Sequence, residues 1–278
     1  MASSSPEITC FVGYDELNTA MRNWAAATGK KFGAVVKQQS RLIAWNFAHN
    51  SQPYGMDLAA KKIGEAAVMR DIGNVYQSSA QIYKLLLQQD EKLAKAFYKL
   101  VKEGGYGQAE KILRASSRIE RNAKIFAPLD PAFHQNARNQ RGRVVRYRPQ
   151  QIIPDGKELK AYAKSRADMV GFGKAGWITA GSQLGSIARV PGWITRHKGR
   201  APGGCIDNSK STEDPYVVMT NQVRYASSIL SDSQAQQAMR LQEEKMLAHI
   251  EHVLVNSARE SGFLASANRA STPLPLAA

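Results

Sequence analysis

Apolar residues recur at helical spacing through the first half of the chain. Leu17, Ala20, Met21 and Trp24 fall on one face of a helix that Asp15 is placed to cap and Thr28-Gly29 to end. Residues 30–48 carry Phe32, Val35, Val36, Leu42, Ile43, Trp45 and Phe47, a stripe broad enough to predict a well-buried second helix. Pro53 and Gly55 mark a loop over 50–55. A third helix is predicted over 57–76, with Leu58, Ile63, Ala66, Ala67, Met69 and Ile72 as its apolar positions. Shorter helices follow at 78–87 and 90–101, and Gly104-Gly105 separates them from another at 107–119.

The pattern changes after the Pro-punctuated loop 127–131. Arg143, Val144, Val145, Arg146, Tyr147 and Arg148 alternate, which predicts a strand over 142–153 with one polar face. Asp155-Gly156 makes a turn into a helix over 157–184 that contains Gly171, Gly173, Gly176 and Gly181. A glycine costs a helix roughly 1 kcal/mol against alanine, so this segment is expected either to pack closely on another backbone or to break near Gly171. Residues 191–211, with Pro202, Gly203 and Gly204, read as a loop; 215–221 read as a strand and 233–260 as a long helix. The Ser-, Ala- and Pro-rich residues 261–278 are expected to be a disordered tail. The sum is an α+β fold, with a helical N-terminal half and then a small antiparallel sheet flanked by two long helices. Two regions, 1–130 and 131–260, are expected to meet near residue 130.

Composition narrows the partners more than the fold. The 278 residues are 43% apolar, a globular composition. Lys and Arg outnumber Asp and Glu by 38 to 23, a formal net charge of +15 that favours polyanions. Cys10 and Cys205 alone make neither a disulfide framework nor a metal cluster, and point to a reducing cytoplasm. The opening Met1 to Pro6 lacks the basic-then-apolar order of a secretory signal, and no apolar run approaches the roughly 20 residues of a membrane helix.

Reactive motifs are weak. Gly171-Phe172-Gly173-Lys174-Ala175-Gly176 has no Gly-Lys-Ser/Thr ending, so helix packing is favoured over phosphate binding. His249 and His252 share a helix face without a third ligand, which favours a solvated face over a metal site. Cys205 follows His197 in a glycine-rich segment without an orienting acid. No catalytic set, cofactor or metal is expected. The strongest polar feature is the block Arg138, Arg141, Arg143, Arg146 and Arg148. It reads equally as a surface for DNA phosphates, a solvated strand edge, or an interface to acidic neighbours. A second basic cluster comprises Arg189, Arg196, His197, Lys198 and Arg200. No sequence-reading module accompanies either, so any nucleic-acid contact is expected to be nonspecific. Trp24, Trp45, Trp177 and Trp193 are read as core or interface anchors.

Several segments carry a resemblance. Leu17-Asn-Thr-Ala-Met-Arg-Asn-Trp24, Lys37-Gln-Gln-Ser-Arg-Leu-Ile-Ala-Trp45, Val170 to Trp177, Pro191 to His197, and Asn221-Gln-Val-Arg-Tyr225-Ala226 are similar to the neck, or tail-completion, proteins of tailed bacteriophages. Residues 78–130 match nothing in that pattern and read as an insertion. The resemblance implies a non-enzymatic virion protein assembled in the host cytoplasm, a subunit of a homo-oligomeric ring at the head–tail junction. It implies portal or adaptor proteins and tail-terminator or tail-tube proteins as neighbours, nonspecific contact with genomic DNA and no membrane. Gly171, Gly173, Gly176, Trp177, Trp193 and Tyr225 are the candidate packing or interface positions.

Overall fold

The computed structural model describes residues 8–10, 15–115, 123–137, 144, 151–212 and 214–260. In chain order the elements are β1 (Ile8–Cys10), α1 (Asp15–Thr28), α2 (Phe32–Asn50), α3 (Leu58–Val75), β2 (Tyr76–Ser78), α4 (Ser79–Leu87), α5 (Glu91–Lys102), α6 (Tyr106–Ala115), β3 (Lys124–Ile125), α7 (Pro131–Asn136), β4 (Gln151–Ile153), α8 (Gly156–Ala167), α9 (Phe172–Ser182), α10 (Gly192–Thr195), β5 (Gly203–Asp207), β6 (Val217–Asn221), α11 (Ala226–Ile229) and α12 (Asp232–Glu260). The class is α+β, as the hydrophobic pattern predicts. The chain divides at 56/57 and at 171/172, not near 130: residues Met1–Met56 and Phe172–Ala278 form one compact unit, and Asp57–Gly171, inserted into it, form the other.

In the discontinuous unit, α1, α2 and α12 pack against one another, and α9 packs between α2 and an antiparallel sheet of order β1-β6-β5. Leu17, Ala20, Met21, Trp24 and Ala25 bury the inner face of α1. β6 alternates buried and half-buried residues, so Val217, Met219 and Asn221 face α9 while Val218 and Thr220 face outward. α9 is buried nearly all round, from Gly173 to Ile178 and again at Ala180 and Gly181. Trp177 meets Phe47 of α2 edge-on with ring centroids 4.9 Å apart. The expected single helix over 157–184 is interrupted at Gly171, whose φ of 94° only glycine adopts without strain. Part of the expected loop 191–211 is ordered as α10 and β5. There Gly203 serves close packing, since a Cβ on it would lie 2.1 Å from the carbonyl oxygen of Gly176.

The inserted unit is built on a parallel sheet of order β2-β4-β3. Adjacent side chains of β4 enter different cores. Ile153 joins Ile72, Val75, Tyr76, Leu159 and Ala163, whereas Ile152 joins Ile82, Leu86, Phe97, Ala109 and Leu113. Of the polar-faced strand expected over 142–153, residues 142–143 and 145–150 lie outside the described residues; Gln151–Ile153 form β4, and all three are buried because β4 is the central strand. Gln151 is satisfied there by the Pro-punctuated loop: its Nε2 donates to Pro128 O at 2.5 Å and its Oε1 accepts from Asp130 N at 3.0 Å. Helix starts follow their caps. Asp57 accepts from Ala60 N, Ser78 and Gln81 form a capping box, and Asp90 accepts from Lys92 N and Leu93 N. The third helix is present as α3, and it buries Ala60, Gly64, Ile72 and Val75 while Leu58, Ile63 and Met69 are 67%, 65% and 50% exposed.

Two glycines with opposite surroundings test this packing. A Cβ on Gly176 would sit 2.1 Å from Asn221 Oδ1, whereas one on Gly73, inside α3, meets nothing within 4 Å. Gly176→Ala is expected to destabilise by about 1–3 kcal/mol, and Gly73→Ala to stabilise by up to about 1 kcal/mol. Urea unfolding checks both; a neutral Gly176→Ala would refute the close approach.

Candidate functional site

The glycines of α9 let the helix approach β6 closely enough for backbone to meet side chain. Asn221 Nδ2 donates to Gly173 O at 2.8 Å, and Asn221 Oδ1 accepts from Val223 N at 3.1 Å. A Cβ on Gly173 would strike Ile229 Cδ1 at 2.2 Å and crowd Tyr225 Cε2 at 3.2 Å. Two segments nearly fifty residues apart thus meet at Gly173, Gly176, Asn221 and Tyr225. Trp193 is buried on α10, and its Nε1 donates to Met56 O at 3.2 Å.

Lys174 is the residue that sequence reasoning missed. It is fully buried on α9, and its Nζ donates to Ala48 O at 2.5 Å and Ser51 O at 2.7 Å. Those carbonyls sit at the C-terminal end of α2, where the last oxygens of a helix lack intrahelical donors and the dipole favours a cation. Burial pulls the ammonium down from its ordinary 10.5 to about 7. Either protonation state keeps two N–H donors, so the lysine joins α9 to the end of α2 as a hydrogen-bonding strut.

The two basic clusters have different standings. Arg138, Arg141, Arg143, Arg146 and Arg148 lie outside the described residues, as does the tail 261–278. Arg196, Lys198 and Arg200 are exposed on the turns after α10, with Arg189 exposed upstream. His197, between them, is buried, stacks edge-on against Phe172 at 5.6 Å, and accepts from Arg196 Nε at 3.2 Å. The cluster is therefore a set of exposed arginine and lysine side chains on the turns around a buried His197, suited to nonspecific contact with phosphates or carboxylates.

The remaining candidates resolve into structural contacts. His249 Nδ1 accepts from Trp24 Nε1 at 3.0 Å, and His252 lies within hydrogen-bond reach of Asn256. Among the described residues no group of three His, Cys, Asp or Glu is arranged to hold a metal ion. Burial, and after it the Asp207 charge, push the Cys205 thiol up to about 11, the wrong direction for a nucleophile. A hydrogen bond from Lys37 at 2.8 Å holds the Asp207 carboxyl down at about 2. A groove of about 430 Å³ opens beside α2 and α12, walled by Trp24, Leu42, Trp45, Met246 and His249. Its floor is a buried amide ladder in which Asn46 Nδ2 donates to Gln242 Oε1 at 3.0 Å and Gln242 Nε2 donates to Gln39 Oε1 at 2.7 Å. Among the described residues no helix is long and apolar enough to cross a membrane. Protein-family models, curated proteins and solved structures contain no match to this chain.

The Lys174 geometry predicts a pH dependence of definite sign. Its folded pKa lies below the unfolded one, so between pH 7 and 10.5 the unfolded chain binds more protons. The cost of burying this group is therefore full below that window and relieved as pH rises through it. The stability of the wild type relative to Lys174→Met is expected to increase from pH 7 to 10.5, read by denaturant midpoints at each pH; a flat difference would show that Lys174 is not held in a desolvated site.

Proposed function

We propose that this chain is a structural subunit of a tailed-bacteriophage particle. Its place is a ring at the head–tail neck, joining portal or adaptor proteins to tail-terminator or tail-tube proteins around the DNA channel. The observation that carries the reading is the outward half of α3, where Leu58 and Met69 on one flank and Ile63 on the other stand in solvent on a helix already anchored by Ala60, Gly64, Ile72 and Val75. An isolated chain gains nothing from keeping three large apolar side chains wet on one helix, whereas a subunit covers them with its neighbours. The pairing of Gly173 and Gly176 with Asn221 and Tyr225 supports it further, because it joins in space two of the segments on which the phage resemblance rests. The exposed Arg196, Lys198 and Arg200 suit a wall facing packaged DNA or acidic neighbours.

A second reading, a nonspecific DNA-binding protein acting outside a particle, draws on those same exposed cations and on the +15 net charge. It leaves the exposed apolar residues of α3 without a role, and for that reason ranks below the first.

Mass spectrometry of purified particles separates the two. The neck reading expects the chain in them at a fixed ratio to the major capsid protein, and its absence overturns that reading. Ile63→Asp is expected to change stability by no more than about 0.5 kcal/mol, as an exposed substitution does, and yet to remove the chain from particles. Incorporation of Ile63→Asp at the wild-type level would show that the Ile63 flank of α3 is not an interface.

A further inference from the structure

β5 is an edge strand of the β1-β6-β5 sheet. Its hydrogen-bonding phase follows from its ends, where Gln222 N donates to Pro202 O and Asn208 N donates to Tyr216 O. With Gly203 paired to Asn221 and Asp207 to Val217, the even-numbered residues of β5 bond to β6 and the main-chain groups of Gly203, Cys205 and Asp207 turn outward. One outward rung is already filled. Gln183, just past α9, donates from Nε2 to Gly203 O at 3.0 Å and accepts at Oε1 from Cys205 N at 3.1 Å.

A carbonyl on one residue and an N–H two residues on, both satisfied by a single amide-bearing group, is the pattern that one residue of a parallel strand makes with its neighbour. Gln183 thus stands in for a strand. The next rung, Cys205 C=O and Asp207 N–H, carries no hydrogen bond to the described residues. Ile206 beside it is 62% exposed on the outer face of the sheet.

The opposite edge supplies a matching strand. β1 is antiparallel to β6, and so is β5, so β1 and β5 run in the same direction. Ile8 and Cys10 of β1 pair with Asn221 and Met219, the β6 residues that turn away from β5, which leaves the main chain of Thr9 facing outward. The sheet therefore ends in a parallel acceptor rung on one side and, among the described residues, one outward residue of the correct direction on the other.

We propose that the β5 edge is the self-association site of this protein, and that its occupant is β1 of a second copy. The N–H of Thr9 donates to Cys205 O, and the C=O of Thr9 accepts from Asp207 N–H. Gln183 keeps the neighbouring rung and ends the ladder. The contact uses two different edges, so it is heterologous: it propagates from copy to copy and closes into a ring where the rotation permits. This inference rests on the ring reading above and supplies its lateral contact.

Proline is the discriminating probe, because it removes an outward N–H and leaves the inward ladder intact. Thr9→Pro is expected to weaken self-association by about tenfold or more, the loss when a hydrogen bond is removed and its acceptor stays unpaired, with the circular dichroism of the wild type retained. Sedimentation velocity of the full chain over a concentration series reads this. Asp207→Pro, against an Asp207→Ala control that keeps the N–H, gives the same answer from the acceptor side. Hydrogen exchange on the wild type needs no variant: the amides of Thr9 and Asp207 should gain protection as concentration rises. A wild type that stays monomeric throughout, an assembly indifferent to both prolines, or exchange at Thr9 and Asp207 that ignores concentration overturns the proposal. Assembly that ignores the prolines in a chain found in particles removes this contact and leaves the neck reading standing; absence from particles with proline-sensitive assembly does the reverse.

Discussion

The discontinuous unit depends on one close approach, that of α9 to β6. A helix normally stands off a sheet by the thickness of two layers of side chains. Here Gly173 and Gly176 remove one layer, and the carboxamide of Asn221 occupies the space, tied to Gly173 O and to Val223 N. The same helix meets α2 through Gly181, where an added Cβ would come within 2.5 Å of Ala44 Cβ. α9 is therefore clamped on two sides by contacts that tolerate no added atom, and close-packed interiors pass such constraints to their neighbours. The intrinsic helix cost of three glycines is offset because burial, not propensity, holds this segment helical.

That clamp explains how a lysine comes to lie in the core. Its position on α9 is set by the glycines on either side, and from there Nζ reaches the carbonyls of Ala48 and Ser51. These oxygens end α2 and begin the turn toward Met56, so an unpaired pair would carry a large desolvation penalty. The lysine stem fills apolar space while its head satisfies the helix end. The arrangement stabilises one geometry of the 48–56 segment, which in turn offers Met56 O to Trp193. A polar residue inside the core thereby fixes the register of elements that are distant in sequence.

How far the sequence foretold this depends on whether a signal was local. Helices with one apolar face are legible: Leu17, Ala20, Met21 and Trp24 line the buried face of α1, and the run from Asp90 forms α5 behind its Asp90 cap. The face that α3 buries is not legible in sequence, because Ala60 and Gly64, the small residues that let it pack, score weakly beside Leu58 and Ile63, which face water. β5 reads as loop because the Gly203-Gly204 pair resembles a turn, and the helix backbone that requires Gly203 comes from a distant segment. β2 and β3 are too short to show a period. Neither Lys174 nor Gln183 carries any sequence signal, since each acts through backbone groups brought to it by tertiary structure.

The features left facing solvent have a common logic. A stable monomer hides large apolar side chains and blunts its sheet edges. This chain blunts one rung of β5 with Gln183, leaves the next rung open, and keeps three large apolar residues exposed on α3. A side-chain amide on a strand edge is a cheap guard: it satisfies two main-chain groups without ordering another segment, and limits where a foreign strand can start. An edge guarded for part of its length selects a short strand over a long one. β1, which among the described residues turns only the main chain of Thr9 outward, fits that limit, and a longer strand would have to displace Gln183 first. Length selection of this kind favours contact between copies of the chain over runaway pairing with other proteins. It also accounts for why so exposed an edge persists in a protein with a +15 net charge, since like-charged copies approach only where a specific contact compensates their repulsion.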